Sequence, residues 1–286
     1  MINNLFLSVG AMKAGTTWLY EILKDHPDVK FTPEKEIHYF ANKVGIENQL
    51  NFRNRTLKLK NVMQKYHNGN AKYISENLDE IAWYVKYANK SIIDNEWYIS
   101  LFDNLPESKY FADFSNLYCQ MDHAGWANVE EVSINNKVIY TLRDPLKRLW
   151  SHYKFHHKWV GKEDDVLDDG IELFKETLSK DWFINNADYA KNLMLLNESI
   201  HKDNLMVLYF EDFRDDPQQQ ADNIADFLNI SPINIDVEVA NKKVNATKNY
   251  KMPVEWEEYA LEILRPLIAT MKEQKIWHKK WNDHEL

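Results

Sequence analysis

An apolar stretch, Leu5-Phe6-Leu7-Ser8-Val9, runs straight into Gly10-Ala11-Met12-Lys13-Ala14-Gly15-Thr16-Thr17 and then into Trp18-Leu19-Tyr20-Glu21-Ile22-Leu23. Strand, glycine turn and helix, in that order, constrain the fold more than any other feature of the chain. Glycines let a backbone approach an anion closely, and the first amides of a helix have no partner within it. With the helix dipole added, the junction is a cradle for a phosphate-type group. The Gly10-to-Gly15 spacing matches the nucleotide-binding pattern GxxxxGK[ST], with one departure. Thr16 follows Gly15, and the lysine lies inside the loop at Lys13. Such a cradle is altered for something other than ordinary ATP chemistry. The plain alternative is a turn that binds nothing; the central Lys13 and the Thr16-Thr17 pair at the helix start argue against it.

Further strand-like stretches lie at Lys109–Ala112, Lys137–Leu142 and Asn204–Phe210, with helical patterns over Leu146–Tyr153, Ala187–Ile200 and Gln218–Leu228. Strands alternating with helices predict a three-layer α/β/α, P-loop-like fold around a central, mostly parallel sheet. The apolar run Val138–Leu142 suits a sheet covered on both faces. At 286 residues and 44% hydrophobic, the chain is expected to form one domain over 1–286. From about residue 45 to 104 it is polar, broken at Asn68-Gly69-Asn70, and reads as helices and loops shaping the acceptor side. The segment Trp256 to Trp281 reads as an amphipathic helix and a tail.

Thirty-five basic against 44 acidic residues give a net charge of −9, which argues against a dedicated nucleic-acid binder. A local basic pocket remains compatible with that balance. The one cysteine, Cys119, can form no intrachain disulfide, which fits a reducing cytoplasm, and it reads as a small buried apolar residue. No apolar run approaches the roughly 20 residues of a membrane span, and no secretory leader pattern is present. A soluble, cytoplasmic protein is expected. The run Glu163-Asp164-Asp165 with Asp168-Asp169 reads as solvated surface, and no metal constellation stands out. The oligomeric state is not legible.

A second anion site follows the strand ending at Leu142. Arg143 stands where open α/β sheets bind ligands, Asp144 and Pro145 open a helix, and Ser151 comes two turns on. At about 100° per residue, Leu146, Leu149, Trp150 and Tyr153 share one side while Arg148 and Ser151 point the opposite way. One face can pack on the sheet and the other present a hydroxyl and a guanidinium, donors suited to phosphate. Taken alone, Arg143 could simply pair with Asp144. Joined with the Lys13 loop, two anion sites suggest a ligand carrying two separated phosphate-type groups.

These two elements, Gly10 to Leu19 and Leu142 to Tyr153, resemble the signatures of the sulfotransferases that use 3′-phosphoadenosine-5′-phosphosulfate. Tyr209-Phe210-Glu211-Asp212-Phe213, Asp216-Pro217 and Ala225 to Leu228 resemble the later strand and helix of that family. The resemblance implies that Lys13, Ala14, Gly15, Thr16, Thr17 and Trp18 hold the 5′-phosphosulfate, and that Arg143 and Ser151 hold the 3′-phosphate. It also implies release of 3′,5′-bisphosphoadenosine without a metal. Lys248, in a stretch similar to the basic loop over the cofactor, would complete the set. The Lys35-Glu36-Ile37-His38-Tyr39-Phe40 segment resembles that of the heparan-type carbohydrate enzymes. It would make Glu36 the general base and His38 an assisting residue, with Lys13 stabilising the leaving phosphate oxygen.

Shielding by Tyr39 and Phe40 would raise the pKa of Glu36, and Lys35 would offset that rise. Ala41 replaces the closing aspartate of the heparan-type segment, which removes a group associated with carbohydrate handling. Asp113 and Ser115 carry over weakly from a further active-site segment, in which Asn116 takes the place of a proline and Phe114 that of a lysine. The expected acceptor is a hydroxyl on a carbohydrate, lipid or secondary metabolite. The aromatics Tyr84, Tyr87, Trp97 and Tyr98 are either an acceptor surface or core. A P-loop kinase and a catalytically silent nucleotide-binding scaffold are the competing readings.

Overall fold

The computed structural model describes residues 1–67, 77–168, 170–235, 248 and 250–281. Asn68-Gly69-Asn70, Asp169 and Thr247 lie outside the described residues. Five strands, β1 (Ile2–Ser8), β2 (Val29–Phe31), β3 (Tyr110–Asp113), β4 (Ser133–Leu142) and β5 (Leu205–Tyr209), form one sheet in the order β2-β3-β1-β4-β5. Every pairing is parallel, and helices cover the sheet as the apolar strands require. Leu5, Phe6 and Leu7 of the central strand are fully buried. The edge strand β2 escaped the sequence reading because three residues are too few for an alternation to register.

Strand β1 has β3 on one side and β4 on the other, so the chain reverses its direction of travel across the sheet at β1. A crevice opens at the carboxyl ends on such a reversal. Backbone bonds stitch the three strand ends together: Ala11 N donates to Thr141 O at 2.8 Å, Thr141 N to Gly10 O at 2.7 Å, and Cys119 N to Val9 O at 2.9 Å. The glycine turn, the segment after Asp113 and Arg143 therefore emerge side by side.

The helix Pro145–Trp159 starts as its sequence predicts, with Pro145 in the first turn and Asp144 Oδ1 accepting from Lys147 N at 3.0 Å. Between residues 45 and 104 the helices Phe52–His67, Leu78–Ala88 and Asn95–Ser100 pack against the core. Trp83, Tyr84, Tyr87, Trp97 and Tyr98 are buried there in ring contact with one another and with Tyr39. These aromatics are core, and none presents a free face to an acceptor. Arg55, also buried, donates to the carbonyls of Leu50, Tyr87 and Lys90 and so ties two of these helices together. The C-terminal helix Val254–Glu273 ends in a tail whose Trp281 donates to Glu211 Oε2 at 2.9 Å. Among the described residues, no helix is long and apolar enough to cross a membrane.

Candidate active site

Both glycines of the first turn are required by its geometry. Gly10 has φ +127°, and a Cβ there would stand 2.5 Å from Asn116 O; Gly15 has φ +101°, and a Cβ would stand 2.8 Å from the Phe210 ring. Lys13, between them, also has a positive φ of 66°. Ala14 is buried and its amide donates to Ala11 O. Trp18 N and Leu19 N both donate to Gly15 O, so the amides of Gly15 and Thr16 lie ahead of the first helical bonds, at the mouth of the cradle. Thr16 is buried and Thr17 half-buried. Trp18 stacks on Phe213 at 4.5 Å, so its ring anchors the helix and its amide is committed to Gly15.

The second site meets the first. Arg143 Nη1 donates to Lys13 O at 3.1 Å, and the guanidinium lies 4.6 Å over the Phe210 ring. Arg143 is thus not spent on Asp144, and its Nε is buried with no partner among the described residues. The Lys13 ammonium rests 4.2 Å over Phe155. Burial pushes the Lys13 pKa down to about 8, helped by Arg143, Lys158 and Lys154 and opposed by Glu36. Ser151 is half-buried and shares its helix face with Phe155 and Lys158, at i, i+4 and i+7. That spacing was the available signal for Phe155 and Lys158, and the i+3 position for Lys154, all of which the sequence reading passed over. Phe210 was likewise missed as the wall between Gly15 and Arg143.

The structure corrects the expected exposure of Arg148. Arg148 does not face outward: it is fully buried, with Nη1 at 3.5 Å from His152 Nδ1 and with the charge of Arg148 felt by Tyr140, Tyr189 and Cys119. A helix between sheet and C-terminal helix has two covered sides, so opposite a packed face there is not always water. Lys248 is engaged with the acidic run. Its ammonium pairs with Asp164, its amide donates to Glu163 Oε1, and its carbonyl accepts from Lys154 Nζ. The acidic run is in part a partner for this residue rather than plain solvated surface. Cys119 is buried as expected, and burial pushes its thiol up to about 12.

Glu36 and His38 stand on the turn beside the cradle, and the Glu36 charge acts on Lys13. Glu36 Oε2 accepts from Asn116 Nδ2 at 2.9 Å and lies 3.2 Å from His38 Nε2; Lys35 Nζ is 3.4 Å from Oε1. Burial raises the carboxyl pKa, but the His38 hydrogen bond and the charges of Lys35 and His38 outweigh it. Glu36 is therefore held below the ordinary carboxylate range: Lys35 offsets the rise as expected, and His38 carries it further down. Tyr39 and Phe40 do not provide the expected shield, because both are drawn into the aromatic core. Burial lowers the His38 pKa, yet its bond to Glu36 and the charges of Glu36, Asp113 and Glu47 leave it raised overall.

Asp113 is fully buried behind this turn. Its carboxylate accepts from Ser115 Oγ at 2.6 Å, Tyr118 OH at 2.7 Å, Tyr98 OH at 3.1 Å and Ile37 N at 3.4 Å. Ser115 Oγ in turn accepts from His38 N at 2.8 Å. His38 has φ 61°, a conformation few non-glycine residues adopt, and this network fixes it. Asp113 and Ser115 are thus supports of the Glu36–His38 turn.

The family model described as Sulfotransferase domain matches residues 4–263. No curated protein matches the sequence. A sulfotransferase from Alicyclobacillus acidocaldarius is 19% identical with a TM-score of 0.62, covering 97% of this chain and 98% of its own. The sulfotransferase domain of the Synechococcus PCC 7002 olefin synthase is 15% identical with a TM-score of 0.53, over 97% and 95%. That of the curacin biosynthetic pathway is 15% identical with a TM-score of 0.51, over 99% and 94%. With a glycine cradle, an adjoining arginine and a carboxylate beside the loop lysine all in one crevice, and a family match over most of its length, this chain belongs to the sulfotransferase domain family and is an enzyme of that class.

Proposed function

We infer that the protein moves a sulfuryl group from 3′-phosphoadenosine-5′-phosphosulfate to a hydroxyl of a small molecule or glycan, with Glu36 as general base. The observation that supports this reading most is the 3.1 Å bond from Arg143 Nη1 to Lys13 O, which sets the two residues side by side. The residues fit the donor. Gly10 and Gly15 leave the space that a Cβ would fill, and the Arg143 Nε is a buried donor awaiting an acceptor. Lys13 carries a charge that burial penalises and an anion would relieve.

When bound, the donor supplies the sulfuryl group and a bisphosphate leaving group. Lys13 and the Gly15 and Thr16 amides hold its 5′ end, and Arg143 and Ser151 its 3′-phosphate. Glu36 takes the proton of the attacking hydroxyl, His38 orienting the carboxylate. The lysine ammonium meets the charge that develops on the departing oxygen, an interaction that strengthens only as the bond breaks. The helix that carries Phe155 continues to Trp159, 67% exposed, and Trp182 packs on His156 of the same helix, 46% exposed. These rings offer a surface for the acceptor on the helix whose Phe155 lies under the lysine ammonium.

Thermal unfolding with ligands tests the reading. Stabilisation by 3′,5′-bisphosphoadenosine, about 2.7 kcal/mol at a hundred times its dissociation constant, is expected, with none from ATP and Mg²⁺. Stabilisation by ATP alone would favour a kinase. Glu36→Gln is expected to abolish transfer while binding the bisphosphate normally; a full-rate variant would remove Glu36 as base.

A further inference from the structure

Glu36 has two carboxylate oxygens in unequal surroundings. Oε2 receives Asn116 Nδ2 at 2.9 Å and His38 Nε2 at 3.2 Å, whereas Oε1 has only Lys35 Nζ at a long 3.4 Å. Asn116 is itself more than nine-tenths buried, and its side-chain carbonyl Oδ1 has no partner among the described residues. A buried carbonyl without a donor is a stability cost, so this side chain is not placed for stability alone. Its backbone carbonyl packs against Gly10, where a Cβ would stand at 2.5 Å, which joins the base to the cradle through one residue.

We propose that Asn116 is a positioning residue for the reaction: its amide pins Glu36 Oε2, which leaves Oε1 as the oxygen that accepts the proton of the attacking hydroxyl. The inference rests on the reading of Glu36 as general base. With Oε2 held by two donors, the carboxylate cannot rotate freely, and its open lone pairs on Oε1 keep one direction. The charged groups around Glu36 are Lys35 and His38 from its own segment and Lys13 from the cradle; Asp113 and Glu47 act on it through His38. Beside the His38 imidazole, Asn116 is the donor at Oε2 that does not titrate.

The test follows the carboxyl carbon of Glu36 by NMR titration in the full-length protein, assigned with Glu36→Gln, alongside thermal unfolding. Asn116→Leu keeps the branched shape and heavy-atom count and removes both the donor and the orphaned carbonyl. It is expected to raise the Glu36 titration by about one pH unit, the equivalent of one hydrogen bond to a charged group, with an unchanged or higher thermal midpoint. Asn116→Asp sets a second carboxyl against the first and is expected to raise it further, because two such groups share a proton. Sulfate release from 3′-phosphoadenosine-5′-phosphosulfate, with water as acceptor, should fall in both variants, its acid limb moving with the titration. A Glu36 titration unchanged in Asn116→Leu overturns the proposal, as does a loss of rate that tracks a lowered midpoint. Failure of the wild type to bind 3′,5′-bisphosphoadenosine in calorimetry would instead refute the sulfotransferase reading itself, whatever the titration shows of the Asn116–Glu36 bond.

Discussion

Lys13 should report anion binding through its own proton. In the free protein, burial and neighbouring cations push its ammonium from the ordinary 10.5 to about 8. Holding that charge costs about 3 kcal/mol below pH 8. Because the folded value lies below the unfolded one, the unfolded chain binds more protons between about 8 and 10.5, and this group's contribution to stability rises with pH there. A phosphate seated in the cradle removes the penalty and returns the pKa toward 10.5. Above about pH 8 each bisphosphate bound therefore takes up close to one proton, and affinity should fall about tenfold from pH 8 to 9.5. The secondary ionisations of the ligand phosphates, near 6, are complete by then. Titration calorimetry of 3′,5′-bisphosphoadenosine in buffers of different ionisation enthalpy measures both quantities. Lys13→Met should bind more weakly at neutral pH and lose the dependence. Affinity that stays flat above pH 8 in the wild type, or proton release on binding, would refute the argument.

Arg143→Ala should weaken 3′,5′-bisphosphoadenosine by about 2–3 kcal/mol and leave adenosine 5′-phosphate unaffected; equal losses for both ligands would move the arginine away from the 3′ end. Asp113→Ala strips the acceptor from Tyr98, Tyr118, Ser115 and the Ile37 amide, so thermal unfolding should reveal a loss of about 3 kcal/mol or more, and a midpoint at the wild-type value would contradict the buried network. Trp159→Ala should raise KM for the acceptor several-fold with unaltered bisphosphate affinity, and steady-state kinetics with an unchanged KM would place the acceptor elsewhere.

Local patterns in the chain carried much of this molecule. The strand–glycine–helix unit, the Asp144-Pro145 helix start and the placement of Arg143 at a strand end are each encoded within a few residues, and hydrogen bonding and backbone sterics act over that range. The parallel sheet follows from alternating strands and helices, because parallel neighbours require a crossover. The short edge strand β2 had too few residues to leave a pattern.

What tertiary structure decided lies at the contacts between distant segments. Whether the face carrying Arg148 meets solvent or protein depends on what covers the helix, and a helical wheel holds no information about that. The ionisation of Glu36 was set by Lys35 and His38 against burial, and the partner Asn116 comes from 80 residues away. The ammonium of Lys248 was drawn to Asp164, 84 positions earlier. Periodicity fixes which residues share a face; only packing fixes the dielectric and the partners those residues meet, and charge states follow from these.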